Sequence, residues 1–245
     1  METSAASARP LAIITGGSRG LGFEVAKALA GKGFDIALIA KDPHRLEESA
    51  SHLRIGGAHI STFACDLEQP HLVRELIDSI NQSLPTPSAL ILAHGVMSEK
   101  MSKTLKTNDS EWRRVMAINL DSVFQLVNGI APAMADARNG RIIIFSACLG
   151  RMSGPGNAGG LAPYRISKAG VNALVRNLAH ETGLGARGFL VDATCPNHSR
   201  TDMGGPDAPR SAEEGAATAI WLATREFKAG DTTGVLWEDQ QIVPW

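Results

Sequence analysis

The segment Tyr164-Arg-Ile-Ser-Lys168 places a phenol and an amine four residues apart, and Tyr164 is the only tyrosine in the chain. On a helix, residues at that spacing share a face. A tyrosine hydroxyl ionises near pH ~10 in water, and a neighbouring ammonium brings its phenolate within reach. The pair suits proton transfer to or from an oxygen. Reduction of a ketone needs such a transfer, because a hydride at carbon must be matched by a proton for the developing alkoxide.

A second element, Thr15-Gly-Gly-Ser-Arg-Gly-Leu-Gly22, is suited to phosphate. Its glycines let the backbone turn sharply and approach a pyrophosphate, whose charge is met by the N–H groups opening the next helix. Gly16, Ser18, Arg19, Gly20, Leu21 and Gly22 are the candidate contacts. A glycine trio also makes an ordinary strand–helix turn. Its place after an apolar strand and before a helix is what selects the nucleotide reading.

The elements that must position these groups alternate along the chain. Apolar or β-branched runs at 11–15, 35–40, 59–65, 89–93, 141–147, 189–195 and 234–238 read as strands. Helical patterns lie between them, at 21–33, from Pro43, and near 70–83, 109–136, 162–182 and 211–224. About seven strands alternating with helices predict a single α/β domain, a Rossmann-like, doubly wound parallel sheet with helices on both faces. Residues 1–9 read as a flexible tail, and 10–245 as one dinucleotide-binding and catalytic domain.

Bulk properties narrow the class. Hydrophobic residues make up 44% and charged residues 20%, ordinary for a soluble globular chain. A formal net charge of −1 supplies no field to recruit nucleic acid or an anionic membrane. Cys65, Cys148 and Cys195 are odd in number and widely spaced, which implies free thiols, a reducing compartment and no metal site. No signal peptide or membrane span is visible, so the expected location is cytoplasmic.

The glycine spacing G-x-x-x-G-x-G, followed by Y-x-x-x-K, resembles the short-chain dehydrogenase/reductase family, in its carbonyl-reductase-like branch. The resemblance runs through essentially the whole chain. It implies that Tyr164 is the acid/base, that Lys168 lowers its pKa and holds the nicotinamide ribose, and that Asn119 in MAINLDSVF positions a relay water. Asp66 and Leu67 would lie along the adenine, with Ala93, Gly95, Pro196 and Thr201 along the rest of the nucleotide. At the end of the second strand, Lys41 stands where a diol-binding acid would select NAD, and Arg19 lies on the same side. Two cations near one ribose favour NADP(H). Asp42 is a competing acid, one step beyond the diol-binding position.

Three departures from the family pattern fall close to the site. The first of its paired serines matches Ser146, but the second, usually catalytic, falls on Ala147. A register shift would bring Ser146 into place, or the long loop GRMSGPGNAGG would fold Ser153 inward; otherwise the hydroxyl is replaced. The family's N-N-A-G appears as Leu92-Ala-His-Gly95, bringing His94 to the groove. Its P-G appears as Pro196-Asn197, followed by His198. Histidine titrates near neutral pH and serves as acid or base, although each is equally explained as a polar loop residue. His94, Ala147, Met152, Asn197, His198 and Met203 are the candidate substrate-pocket residues, with Met97 and Met101 adding adaptable apolar surface.

The leading expectation is an NADPH-dependent reductase of a small, bulky or partly apolar carbonyl compound. The alternatives are a redox-neutral cyclase, isomerase or dehydratase of secondary metabolism, and a non-catalytic nucleotide-binding protein. The resemblance implies a homodimer or homotetramer paired through 109–136 and 162–182; the apolar residues of GVNALVRNLA are compatible with that, and equally with packing on the sheet.

Overall fold

The computed structural model describes residues 9–54, 57–99, 103–154, 158–228 and 230–245. Met101 and residues 1–8 of the expected tail lie outside them. Arg9, also counted with the tail, is anchored: its guanidinium reaches the carbonyls of Gly33 and Gly57, each at 3.1 Å, and the Asp35 carboxylate at 3.2 Å.

The chain forms one α/β sheet domain. Strands β1 (Leu11–Thr15), β2 (Asp35–Ala40), β3 (Ile60–Ala64), β4 (Ala89–Leu92), β5 (Gly140–Phe145), β6 (Phe189–Thr194) and β7 (Leu236–Glu238) are all parallel. They lie in the order β3-β2-β1-β4-β5-β6-β7. An eighth strand, β8 (Gln241–Val243), returns antiparallel from a tight turn at the sheet edge. Sequence periodicity misses it because three residues carry no readable period, and the turn depends on left-handed φ values of 51° and 60° at Asp239 and Gln240.

The central strands are buried on both faces, which is why they read as continuous apolar runs. Helices α1 (Gly20–Gly31), α2 (Pro43–Arg54) and α7 (Ala212–Thr224) cover one face, through Val25, Leu29, Leu46 and Leu222. Helices α3 (Pro70–Ser83), α5 (Ser122–Asp136) and α6 (Ala162–Glu181) cover the other, through Ile77, Leu126, Val171 and Val175. Each fully buried Leu, Ile or Val side chain contributes roughly 1.5–3 kcal/mol. Among the described residues, no helix is long and apolar enough to cross a membrane.

The expected single helix at 109–136 is divided. Helix α4 (Asp109–Met116) passes into a π-helical segment, Ala117–Asp121, before α5 resumes. Asn119 is in that segment and fully buried. Such bulges commonly mark functional sites, and this one lies at the carboxyl end of β4. Strand order reverses at β1, which neighbours both β2 and β4, so a crevice opens there where ligands of open α/β sheets bind.

Candidate active site

Two cavities open along the carboxyl ends of the strands. The larger, about 650 Å³, runs from the glycine loop past β2 and β3 to β4. The smaller, about 380 Å³, lies over β5 and β6. Leu21, Thr201 and Met203 border both.

The larger groove has the chemistry of a phosphate cradle. Arg19, at the N-cap of α1, is extended and makes no side-chain cap, which leaves the first backbone N–H groups of the helix without a capping side chain. Gly16 has φ +66°, and a Cβ on Gly22 would come 2.4 Å from the Gly16 carbonyl oxygen. Only glycine allows that approach. Lys41, Asp66 and Leu67 line the far end, and Ala93, Gly95 and Thr201 the near end. Pro196 lines the smaller cavity instead. Lys41 Nζ is paired with Asp66 Oδ2 at 2.7 Å, which raises the lysine pKa, and Arg19 is paired with Asp202. Asp42, the competing acid, accepts from the backbone N–H groups of His44 and Arg45 at 2.9 and 3.2 Å. It caps α2, and the cap holds its pKa down.

Tyr164 and Lys168 both face inward from α6, 6% and 4% exposed. The helix begins at Leu161, left-handed with φ 53°, and its N-terminus is held from a distance: Tyr164 N donates to Ser98 Oγ at 2.9 Å. Lys168 Nζ donates to the Phe145 carbonyl at 2.7 Å and stands 5.9 Å from the Tyr164 ring centre. A Cβ on Gly95 would come 3.5 Å from that Nζ, so the ammonium lies at the end of the groove. Burial pushes Tyr164 up and Lys168 down to about 8. The expected lowering of Tyr164 by Lys168 does not emerge: burial raises the phenol, and neighbouring Cys195 and Cys148 raise it further. The Tyr164 side chain reaches the smaller cavity, and its hydroxyl has no hydrogen-bond partner among the described residues.

Asn119 acts through its side chain as a clamp. Its Oδ1 accepts from Val96 N at 2.8 Å, while its Nδ2 donates to Val96 O at 2.9 Å and Ser167 Oγ at 3.1 Å. Ser167 Oγ in turn donates to the Tyr164 carbonyl at 2.7 Å. One buried amide therefore ties the chain after β4 to the first turns of α6.

The serine candidates are engaged elsewhere. Ser146 borders the cavity, but its hydroxyl donates to Asn172 Oδ1 at 2.5 Å, with the Lys168 carbonyl at 3.4 Å. Ser153 Oγ donates to the Trp245 carbonyl at 3.2 Å. Ala147 lines the cavity with only a methyl group. Met152 is 78% exposed and outside both cavities, whereas Met97 and Met203 line the smaller one.

The histidines differ. His94 turns its ring inward: Nδ1 accepts from Thr15 Oγ1 at 2.6 Å, and Nε2 donates to the Ile118 carbonyl at 3.0 Å, with Ser122 Oγ at 2.9 Å. Burial, then repulsion from Lys168, depresses its pKa to about 3. It is a neutral brace between β1, β4 and the π segment. His198 is exposed, borders the cavity and has Nε2 2.7 Å from the Gly204 carbonyl. Asn197 has φ 57°, and asparagine tolerates the left-handed conformation for which the family pattern has glycine. Sequence reasoning overlooked Cys148, Leu149 and Cys195, which line the same cavity. Their adjacency to Ala147 and Pro196 in the sequence is the signal that marks the two cysteines. Among the described residues, no cluster of three or more His, Cys, Asp or Glu side chains is arranged for a metal ion.

The short chain dehydrogenase family model matches residues 10–212. The chain belongs to that family. It is 30% identical over 193 residues to the 3-oxoacyl-[acyl-carrier-protein] reductase FabG of Escherichia coli (strain K12), covering 79% of this chain and 75% of that protein. A Streptomyces violaceoruber protein named as a ketoacyl reductase of granaticin polyketide synthase is 31% identical over 226 residues, covering 91% and 78%. A solved short chain dehydrogenase from Salmonella enterica serovar Typhi superposes with a TM-score of 0.83 at 20% identity, covering 95% and 96% of the two chains. This short-chain dehydrogenase is therefore an oxidoreductase by family, on the fold of that family.

Proposed function

We propose that this oxidoreductase uses NADP(H) to reduce the carbonyl of a small, partly apolar compound, with a β-ketoacyl group as the substrate class. The observation that carries the reading is the position of Tyr164. Tyr164 lines the smaller cavity, while Lys168 Nζ lies against Gly95, which lines the nucleotide groove. The names of the relatives support the ketoacyl class.

The uncapped start of α1 and the Gly16–Gly22 approach fit a dinucleotide pyrophosphate. When bound, the nicotinamide supplies the hydride. Tyr164 supplies the proton at the carbonyl oxygen, and burial keeps it protonated until then. The resulting phenolate is stabilised by the Lys168 ammonium, which is charged below about pH 8. Asn119 holds the loop after β4 and α6 in register, so that both groups meet one substrate. At the other end, Lys41 and Arg19 turn from their carboxylates to a 2′-phosphate. Both are more than half exposed, and exposed ion pairs are worth only about 0–1 kcal/mol. Asp42, occupied at the cap of α2, does not oppose the phosphate by binding a diol.

A second reading, a redox-neutral reaction in the same cavity, is favoured by one observation: the hydroxyls of Ser146 and Ser153 both donate to acceptors of the protein itself. NADPH and NADH oxidation with β-keto esters, α-diketones and quinones separates the readings. The reductase reading requires carbonyl-dependent oxidation of NADPH in preference to NADH. Nucleotide binding with no oxidation for any of these compounds overturns it in favour of the second. Exposed Trp112, Phe124 and Ile166 on α4, α5 and α6 support pairing with a second copy, which sedimentation of the purified chain tests.

A further inference from the structure

The mechanism leaves two nucleophiles in the cavity wall unused. Strand pairing sets Phe145 beside Thr194, and Ser146 N donates to the Thr194 carbonyl at 2.8 Å, so Cys195 continues β6 alongside the end of β5. Cys148 begins the short 3₁₀ turn Cys148–Gly150 just beyond. Both residues are free thiols, both line the same cavity, and the pairing of β5 with β6 sets them on neighbouring stretches of its wall. Their settings differ in the way an attacking and a resolving thiol must differ. Cys148 is half-buried in a turn, whereas Cys195 is 2% exposed and fixed at a strand end, its N–H donating to the Trp237 carbonyl at 2.8 Å. The Glu238 carboxylate lies near both thiols, and its buried Oε2 has no hydrogen-bond partner among the described residues.

We infer that Cys148 and Cys195 form a peroxide-sensitive dithiol in the wall of the substrate cavity, which closes to a disulfide and shuts that cavity while the nucleotide groove stays open. The Cys148 thiolate attacks a hydroperoxide; its sulfur gains the terminal hydroxyl as the O–O bond breaks and an alcohol or water leaves. The Cys195 sulfur then displaces that hydroxyl as water, forming the S–S bond. Glu238 receives the Cys195 proton and returns it to the departing hydroxide. The two thiols lose two electrons in total and the peroxide gains them; a dithiol reductant reverses the change.

The order of attack follows from the environment. Hydrogen bonding from Cys195, aided by the Arg151 charge, favours the Cys148 thiolate, and the same contact holds the Cys195 proton in place. Cys65 is an internal control, buried and pushed up to about 11 by burial and by the Asp66 and Glu75 carboxylates. The S–S bond requires the two sulfurs to approach to ~2.0 Å. Cys148, in a turn rather than a strand, is the side that yields. Its movement changes the wall beside Ala147 and Tyr164 and leaves the Gly16–Gly22 cradle untouched.

The test exposes the full-length wild-type chain to hydrogen peroxide and reads intact mass and non-reducing peptide maps. The inference requires loss of two hydrogens, a Cys148–Cys195 peptide pair, and reaction at these thiols at least about tenfold faster than at Cys65. In Cys195→Ser, a sulfenic acid accumulates on Cys148 and is captured by dimedone; in Cys148→Ser none appears on Cys195. NADPH fluorescence titration of the oxidised wild type should give unchanged affinity. Persistence of both thiols, equal reaction at Cys65, or loss of NADPH binding in the oxidised form overturns the inference. The wild-type map decides even where a variant fails to fold, and none of these readouts depends on carbonyl turnover.

Discussion

Ser146 gives its hydroxyl to Asn172 across 2.5 Å, and Asn172 in turn holds the Gly150 carbonyl at 3.3 Å. The first serine position therefore fastens the start of the loop after β5 to α6, and the position beside it, Ala147, has only a methyl to offer the cavity. Ser146→Ala removes a buried donor and leaves Asn172 Oδ1 unsatisfied, which costs about 1–3 kcal/mol. Urea unfolding of that variant should show the loss. Ala147→Ser instead adds a donor to the cavity wall and is expected to raise kcat for ketones, read in the NADPH assay.

Tyr164→Phe keeps the ring and removes the proton. The expected result is a fall in kcat of about 10²–10⁴ with NADPH affinity retained, measured by steady-state assay and fluorescence titration. Loss of binding together with turnover would assign the hydroxyl to the nucleotide instead.

His94 and Lys168 predict opposite limbs of a pH profile. The His94 pKa is depressed from 6.5 to about 3, so below pH 6.5 the unfolded chain takes a proton that the folded chain refuses. Stability from this group therefore falls as pH drops from 6.5 towards 3, with a limiting slope of about 1.4 kcal/mol per pH unit. His94→Asn should flatten that limb in denaturant titrations. Lys168 is depressed from 10.5 to about 8, so its contribution to stability increases as pH rises between those values. Over the same rise it loses the charge that steadies the Tyr164 phenolate, and turnover should decline above about pH 8 while the fold does not loosen.

Lys41→Ala should raise the KM for NADPH about tenfold and leave that for NADH nearly unchanged, since a charge-assisted bond to phosphate contributes about 1.5–3 kcal/mol. Asp42→Ala should not alter this preference. It removes the cap of α2 and lowers the stability of the fold, visible in thermal unfolding.

The glycine loop and the Tyr164–Lys168 spacing were legible in sequence because each is local: one turn and one helical face carry the signal. The α/β architecture was legible for the same reason, since buried parallel strands read as apolar runs. What escaped depends on pairs distant in the chain. Ser146 meets Asn172 26 residues away, and His94 meets Thr15 79 residues away, so neither side chain's direction could be read from its neighbours. The π segment around Asn119 leaves the helical pattern of 109–136 apparently unbroken, because one widened turn shifts the apolar period too little to notice. Cys148 and Cys195 come together only once β5 and β6 have paired.

The most direct measurement follows a label. NADPH carrying deuterium at its transferable nicotinamide position would be incubated with a β-keto ester, and the product examined by mass spectrometry. The account predicts an alcohol bearing one deuterium on the former carbonyl carbon with the wild-type protein, and almost none with Tyr164→Phe. Substrate converted to a product without deuterium, while the NADPH remains unoxidised, would contradict it.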